Sequence, residues 1–120
     1  MKFSWSTLRV KNLEDSIRFY FDVLGLQVVK RFIGGRGVEI AFLGDGDTKI
    51  ELICDRCERD VNTGEDISWG FEVESLEDVM ALLKEKNIPI VSGPVQPSPN
   101  IRFIFIHDPD GMRIQIAENL

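Results

Sequence analysis

The chain has 120 residues, 43% hydrophobic and 28% charged, the size and composition of one soluble domain that buries about two thirds of its unfolded surface. Its formal net charge of -6 repels phosphate backbones and no basic patch offsets it, so no nucleic-acid partner is expected. No apolar run approaches the ~20 residues that span a bilayer; the opening MKFSWSTLRV alternates like a strand and lacks the basic and apolar blocks of an export signal, so a cytoplasmic protein with no membrane partner is expected.

In chain order, the opening strand gives way to VKNLEDS, where Asn12 is a candidate N-cap and Glu14 and Asp15 sit in a first helical turn, favoured there by the helix dipole. Leu13, Ile17, Tyr20 and Leu24 recur at helical spacing, and Gly25 supplies the stop. Three short strands are expected next, over residues 26–33, 38–43 and 49–54, separated by GGRG and GDGD turns. The third ends in CDRC. Cys54 and Cys57 have no second cysteine pair or histidine pair to complete a zinc site and no following helix to make a redox dithiol, so they read as two reduced thiols.

After the polar connection CDRCERDVNTGED the pattern returns. VESLEDV lies 63 residues beyond VKNLEDS, with Ser75 as N-cap and Leu76, Val79, Met80 and Leu83 as the buried stripe. Strands are expected over residues 88–92, 101–107 and 112–117, with GPVQPSPN as a loop between the first two and DPDG as the turn before the last. Each half reads strand, helix, strand, strand, strand. The expectation is therefore an α+β fold: one domain over residues 1–120, made of paired βαβββ motifs (1–57 and 66–120) whose mostly antiparallel sheet curls around a cleft.

The segments TLRVKNLEDSIRFYFDVLGL, KIELI and HDPDGMRIQI carry a resemblance, over nearly the whole length, to the vicinal oxygen chelate superfamily. That superfamily includes glyoxalase I, bleomycin-resistance and fosfomycin-resistance proteins, methylmalonyl-CoA epimerases and extradiol dioxygenases. The resemblance implies a cleft wrapped by the paired motifs, often completed by a second subunit. It also implies four metal-ligand positions, in glyoxalase-like members usually His or Gln, Glu, His and Glu, which fall here on Trp5, Glu51, Ser68 and Gln115. The internal repeat agrees, since Trp5 and Ser68 are 63 residues apart and Glu51 and Gln115 match in KIELI and RIQIA.

These four make a poor metal set. Catalytic divalent sites use three anionic or imidazole ligands, whereas an indole nitrogen only donates and a hydroxyl and a neutral amide are weak donors. Only Glu51 is a strong ligand; if a nickel, zinc or manganese ion were present, Glu51 and Gln115 would hold it. Otherwise no cofactor is expected. Strand alternation sets Thr7 and Arg9 beside Trp5, Lys49 beside Glu51, Glu72 beside Ser68 and Arg113 beside Gln115. Trp5 is then either a stacking platform or a groove-filling core aromatic, and Glu51 either a ligand acceptor or the salt-bridge partner of Arg9 or Arg113. Glu51 and Arg9 call for opposite ligand charges. Trp69 is assigned to the helix side, and His107 to an exposed strand end.

The leading expectation is a metal-independent protein that binds a small organic molecule through Trp5, Thr7, Arg9, Glu51, Ser68, Arg113 and Gln115, and that forms a homodimer covering the exposed edges of its short half-sheets. The alternative is a glyoxalase-like lyase or isomerase, similar to lactoylglutathione lyase, with Glu51 catalytic. The third is a structural dimer module without a ligand.

Overall fold

In the computed structural model, which describes residues 1–55 and 60–120, the chain divides into two compact units, residues 1–63 and 64–120. Each is built in the same way.

In the first unit β1 (Trp5–Arg9) leads into α1 (Leu13–Leu24), followed by β2 (Val28–Ile33), β3 (Glu39–Leu43) and β4 (Lys49–Cys54). The sheet order is β1-β4-β3-β2, with β1 parallel to β4 and the other two pairings antiparallel. The Asn12 side chain accepts from Asp15 N–H at 3.0 Å, and Gly25 closes the helix in the left-handed region at φ 70°. Both caps stand where the sequence places them, because a short polar acceptor and a residue without Cβ satisfy the orphaned ends of a helix. One sheet face packs on α1: Leu8, Ala41, Leu43, Ile50, Leu52 and Cys54 are buried together with Leu13, Tyr20 and Val23 of the helix region. A fully buried leucine such as Leu43 or Leu52 contributes about 1.5–3 kcal/mol.

The second unit repeats this with β5 (Ser68–Glu72), α2 (Leu76–Glu85), β6 (Ser92–Ser98), β7 (Ile101–His107) and β8 (Arg113–Asn119). The order is β5-β8-β7-β6, again with one parallel pairing, β5 to β8. The Ser75 side chain caps α2 through Asp78 N–H at 3.2 Å. Leu76 and Leu83 meet a core of Ile104, Ile106, Met112, Ile114 and Ile116. The Asp108 carboxylate, 5% exposed, accepts from the N–H groups of Asp110 and Met112 and so locks the DPDG turn.

The α+β class and the doubled strand-helix-strand-strand-strand pattern are as expected; both sheets are mixed. One element differs. The strand expected at residues 88–92 lies instead at Ser92–Ser98, within the segment expected to be a loop. Two prolines occupy it, which is tolerable because β6 is an edge strand with one side free of ladder bonds. Its register with β7 is interrupted, pairing only Ser92 with Phe105, Val95 with Phe103 and Ser98 with Ile101. Gly93 sits at φ 94°, where an added Cβ would lie 2.7 Å from the Phe103 carbonyl oxygen. Glycine is required there both by conformation and by the approach of β7. No helix among the described residues is long and apolar enough to cross a membrane.

Candidate functional site

Each sheet turns one face to its helix and leaves the other open. In the first unit the open face carries the side chains in register with Glu51: Thr7 on β1 and Phe42 on β3 are its direct partners. Trp5, Arg9, Lys49 and Ile53 extend it along β1 and β4, Ile40 along β3, and Lys30 and Phe32 along β2.

Two contacts define this face. The Thr7 hydroxyl donates to Glu51 Oε1 at 2.6 Å, so the described partner of the carboxylate is a neighbouring hydroxyl and not an arginine. The Trp5 and Phe42 rings meet edge to face, 5.8 Å between centroids at 87°. Trp5 is on β1 and Phe42 on β3, with β4 between them; strands two apart are separated by about 9–10 Å. The indole therefore reaches across β4, the strand that bears Glu51. Phe42 in turn stacks on Phe32, 6.4 Å between centroids at 16°, and Lys30 Nζ lies 5.1 Å from the Phe32 centroid. The row remains accessible, with Trp5 53% and Phe32 37% exposed.

In the second unit the open face carries Ser68, Gly70 and Glu72 on β5, Arg113, Gln115 and Ala117 on β8, and Phe103, Phe105 and His107 on β7. Gln115 is in register with Gly70, and its Oε1 lies 3.9 Å from where a Gly70 Cβ would stand. The amide thus lies at ordinary van der Waals distance from that position. The Arg113 guanidinium lies over the Phe105 ring, Cζ 4.1 Å from the centroid, while Phe105 meets Phe103 edge to face at 5.7 Å. Ser68 is exposed and Glu72 accepts from the Asn119 side-chain amide. His107 is exposed at the end of β7, as expected, and Trp69 is half-buried in register with Ile114 on the helix side.

The first unit thus assembles Trp5, Thr7 and Glu51, and the second sets Ser68, Arg113 and Gln115 on one face. The repeat equivalence of Trp5 with Ser68 and Glu51 with Gln115 holds in register: Trp5 pairs with Lys49 as Ser68 pairs with Arg113. Cys54 is buried, its thiol directed at the Lys11 carbonyl oxygen at 3.5 Å, and Cys57 lies outside the described residues.

Phe32, Phe42 and Lys30 are the participants that sequence reasoning missed on these faces. Phe42 was readable from its alternation with Ile40. Phe32 and Lys30 were not, because the register of β2 shifts between Val28 and Lys30, and a one-residue shift exchanges the two faces.

As a metal centre the donor chemistry does not fit. In the first unit the carboxylate of Glu51 is flanked by an indole with no lone pair to give, lying across its strand, and is already bonded to Thr7. In the second unit Ser68 and Gln115 offer a neutral hydroxyl and a neutral amide. Among the described residues no three His, Cys, Asp or Glu side chains cluster.

Comparison with known proteins places these faces in a family. The family model described as "Glyoxalase/Bleomycin resistance protein/Dioxygenase superfamily" matches residues 2–116. A lactoylglutathione lyase of Haemophilus influenzae is 30% identical, over 99% of this chain and 93% of that protein. The trypanothione-dependent glyoxalase I of Leishmania major superposes with a TM-score of 0.83 at 24% identity, covering 98% of this chain and 86% of that one. An antibiotic binding protein of Streptomyces sp. CB03234 superposes with a TM-score of 0.77 at 18% identity, covering 100% and 97%.

Proposed function

The chain belongs to the Glyoxalase/Bleomycin resistance protein/Dioxygenase superfamily, and from that premise we propose that it binds a small organic molecule without a metal, through the open faces of its sheets. The observation that carries this reading is the indole of Trp5 laid over β4 against Phe42, with Glu51 held by Thr7. An accessible aromatic row beside a carboxylate suits a planar ligand: stacking on the rings contributes about 0.5–1.5 kcal/mol and a charge-assisted hydrogen bond about 1.5–3 kcal/mol. The reading includes a homodimer. It is supported by β2, an edge strand exposed at every position, including Val28, Val29, Phe32 and Ile33.

The test is a fluorescence titration of metal-stripped protein with planar aromatic probes of positive and of negative charge, repeated on Trp5→Phe. A saturable response that persists in EDTA and weakens in the variant is expected. Silence throughout removes the binding reading and leaves a structural module.

The lyase relatives at 30% identity favour a second reading, a glyoxalase-like lyase or isomerase with Glu51 as its catalytic carboxylate. It requires formation of lactoylglutathione from glutathione and the corresponding 2-oxoaldehyde when nickel, zinc or manganese is added, abolished in Glu51→Gln. Absence of turnover with all three metals removes it.

A further inference from the structure

The charge of the ligand is left open by a face that offers both Glu51 and cations. The open face of the second unit carries an arginine nitrogen without a partner among the described residues. Arg18, Arg31 and Arg102 each meet a carboxylate, those of Asp15, Glu14 and Glu77. Arg113 instead lies on the Phe105 ring, and its Nε is shielded from solvent with no hydrogen-bond partner among the described residues. Buried donors in native structures are almost always satisfied, and no acceptor among the described residues meets this one. By contrast Glu51, the acidic candidate, already accepts from Thr7.

The ring fixes the orientation of the guanidinium, which leaves less freedom to lose when it binds, and a guanidinium fork matches the paired oxygens of a carboxylate or phosphate. Around it the same face supplies neutral donors: the Ser68 hydroxyl in register on β5, and the Gln115 amide two residues along β8, in register with Gly70. The carboxylate on that face, Glu72, is engaged by Asn119.

We propose that Arg113, seated on Phe105 with Ser68 and Gln115 beside it, receives the anionic oxygen group of an organic acid, a carboxylate or a phosphate. The proposal rests on the small-molecule reading above.

The test follows arginine Nε–Hε cross-peaks by NMR while wild type, Arg113→Gln and Arg113→Lys are titrated with benzoate, phenyl phosphate and benzamidinium, with and without EDTA. Circular dichroism checks the fold of each variant. The expected result is a shift of the Arg113 cross-peak on adding an acid, binding at least about 10-fold weaker in Arg113→Gln, and an intermediate loss in Arg113→Lys. A response to benzoate alone assigns a carboxylate, and to phenyl phosphate alone a phosphate. If a variant unfolds, the wild-type cross-peak decides. Acids that bind without moving that cross-peak and with undiminished affinity for Arg113→Gln overturn the proposal. Binding of benzamidinium only also overturns it, yet leaves metal-free recognition intact; silence of all three probes overturns both. Acid binding that reports on Arg113 but vanishes in EDTA supports the proposal and defeats the metal-free reading.

Discussion

Trp5→Ala removes the indole that lies over β4 against Phe42. With 53% of its surface in water, the indole buries roughly 100 Å² of the 150–250 Å² a tryptophan can bury, about 2.5 kcal/mol at ~25 cal/mol per Å² and an upper bound for a real unfolded chain. The retained Cβ lowers this, and the edge-to-face contact with Phe42 adds about 0.5–1.5 kcal/mol. The expected destabilisation is about 2–3 kcal/mol for Trp5→Ala and under about 1 kcal/mol for Trp5→Phe. The assay is urea unfolding followed by far-ultraviolet circular dichroism, since fluorescence changes with the substitution itself. A double-mutant cycle with Phe42→Leu isolates the ring pair, with an expected coupling of about 0.5–1.5 kcal/mol. Zero coupling, or a Trp5→Ala cost below about 0.5 kcal/mol, would refute the claim that the indole crosses β4 to reach Phe42.

Three further substitutions test the frame that holds these faces. Gly93→Ala forces a Cβ to within 2.7 Å of the Phe103 carbonyl at a φ of 94°, so the midpoint of urea unfolding should fall by the equivalent of about 2 kcal/mol or more. Ser16 is fully buried with no partner for its hydroxyl among the described residues; Ser16→Ala removes an unsatisfied group and should raise stability by up to about 1 kcal/mol in the same assay, whereas a loss would reveal a bond to that hydroxyl. Glu118 Oε1 accepts from Leu76 N–H at 2.8 Å, pinning the start of α2 to β8; Glu118→Ala should cost about 1–2 kcal/mol in thermal unfolding, and Glu118→Gln less.

Much of this organisation is legible in the sequence because it rests on short-range chemistry. Asn12 and Ser75 announce helix starts through side chains that reach only three residues ahead, and Gly25 marks a stop by tolerating a positive φ. Alternation groups Thr7 with Trp5 and Glu51 with Lys49, and the two sets meet in register because β1 and β4 pair without a bulge. The parts that were not legible depend on partners distant in sequence. β6 is a strand only because β7 accepts it, and its prolines and Gly93 read as loop until that neighbour is known. Lys30 and Phe32 reach the open face through a register shift that leaves no local mark. The state of Arg113 was equally hidden: its stacking on Phe105 follows from the β7–β8 register, and no periodicity reveals that one of its nitrogens is buried unpaired.

The central claim is that the side chains around Glu51 recognise an organic molecule instead of holding a divalent ion. Elemental analysis tests it most directly: protein purified without a metal-chelating tag is dialysed against nickel, zinc or manganese, freed of excess ion and measured for bound metal. Far less than one ion per chain is expected, with no change in Glu51→Gln. About one ion per chain, lost in Glu51→Gln, would contradict it.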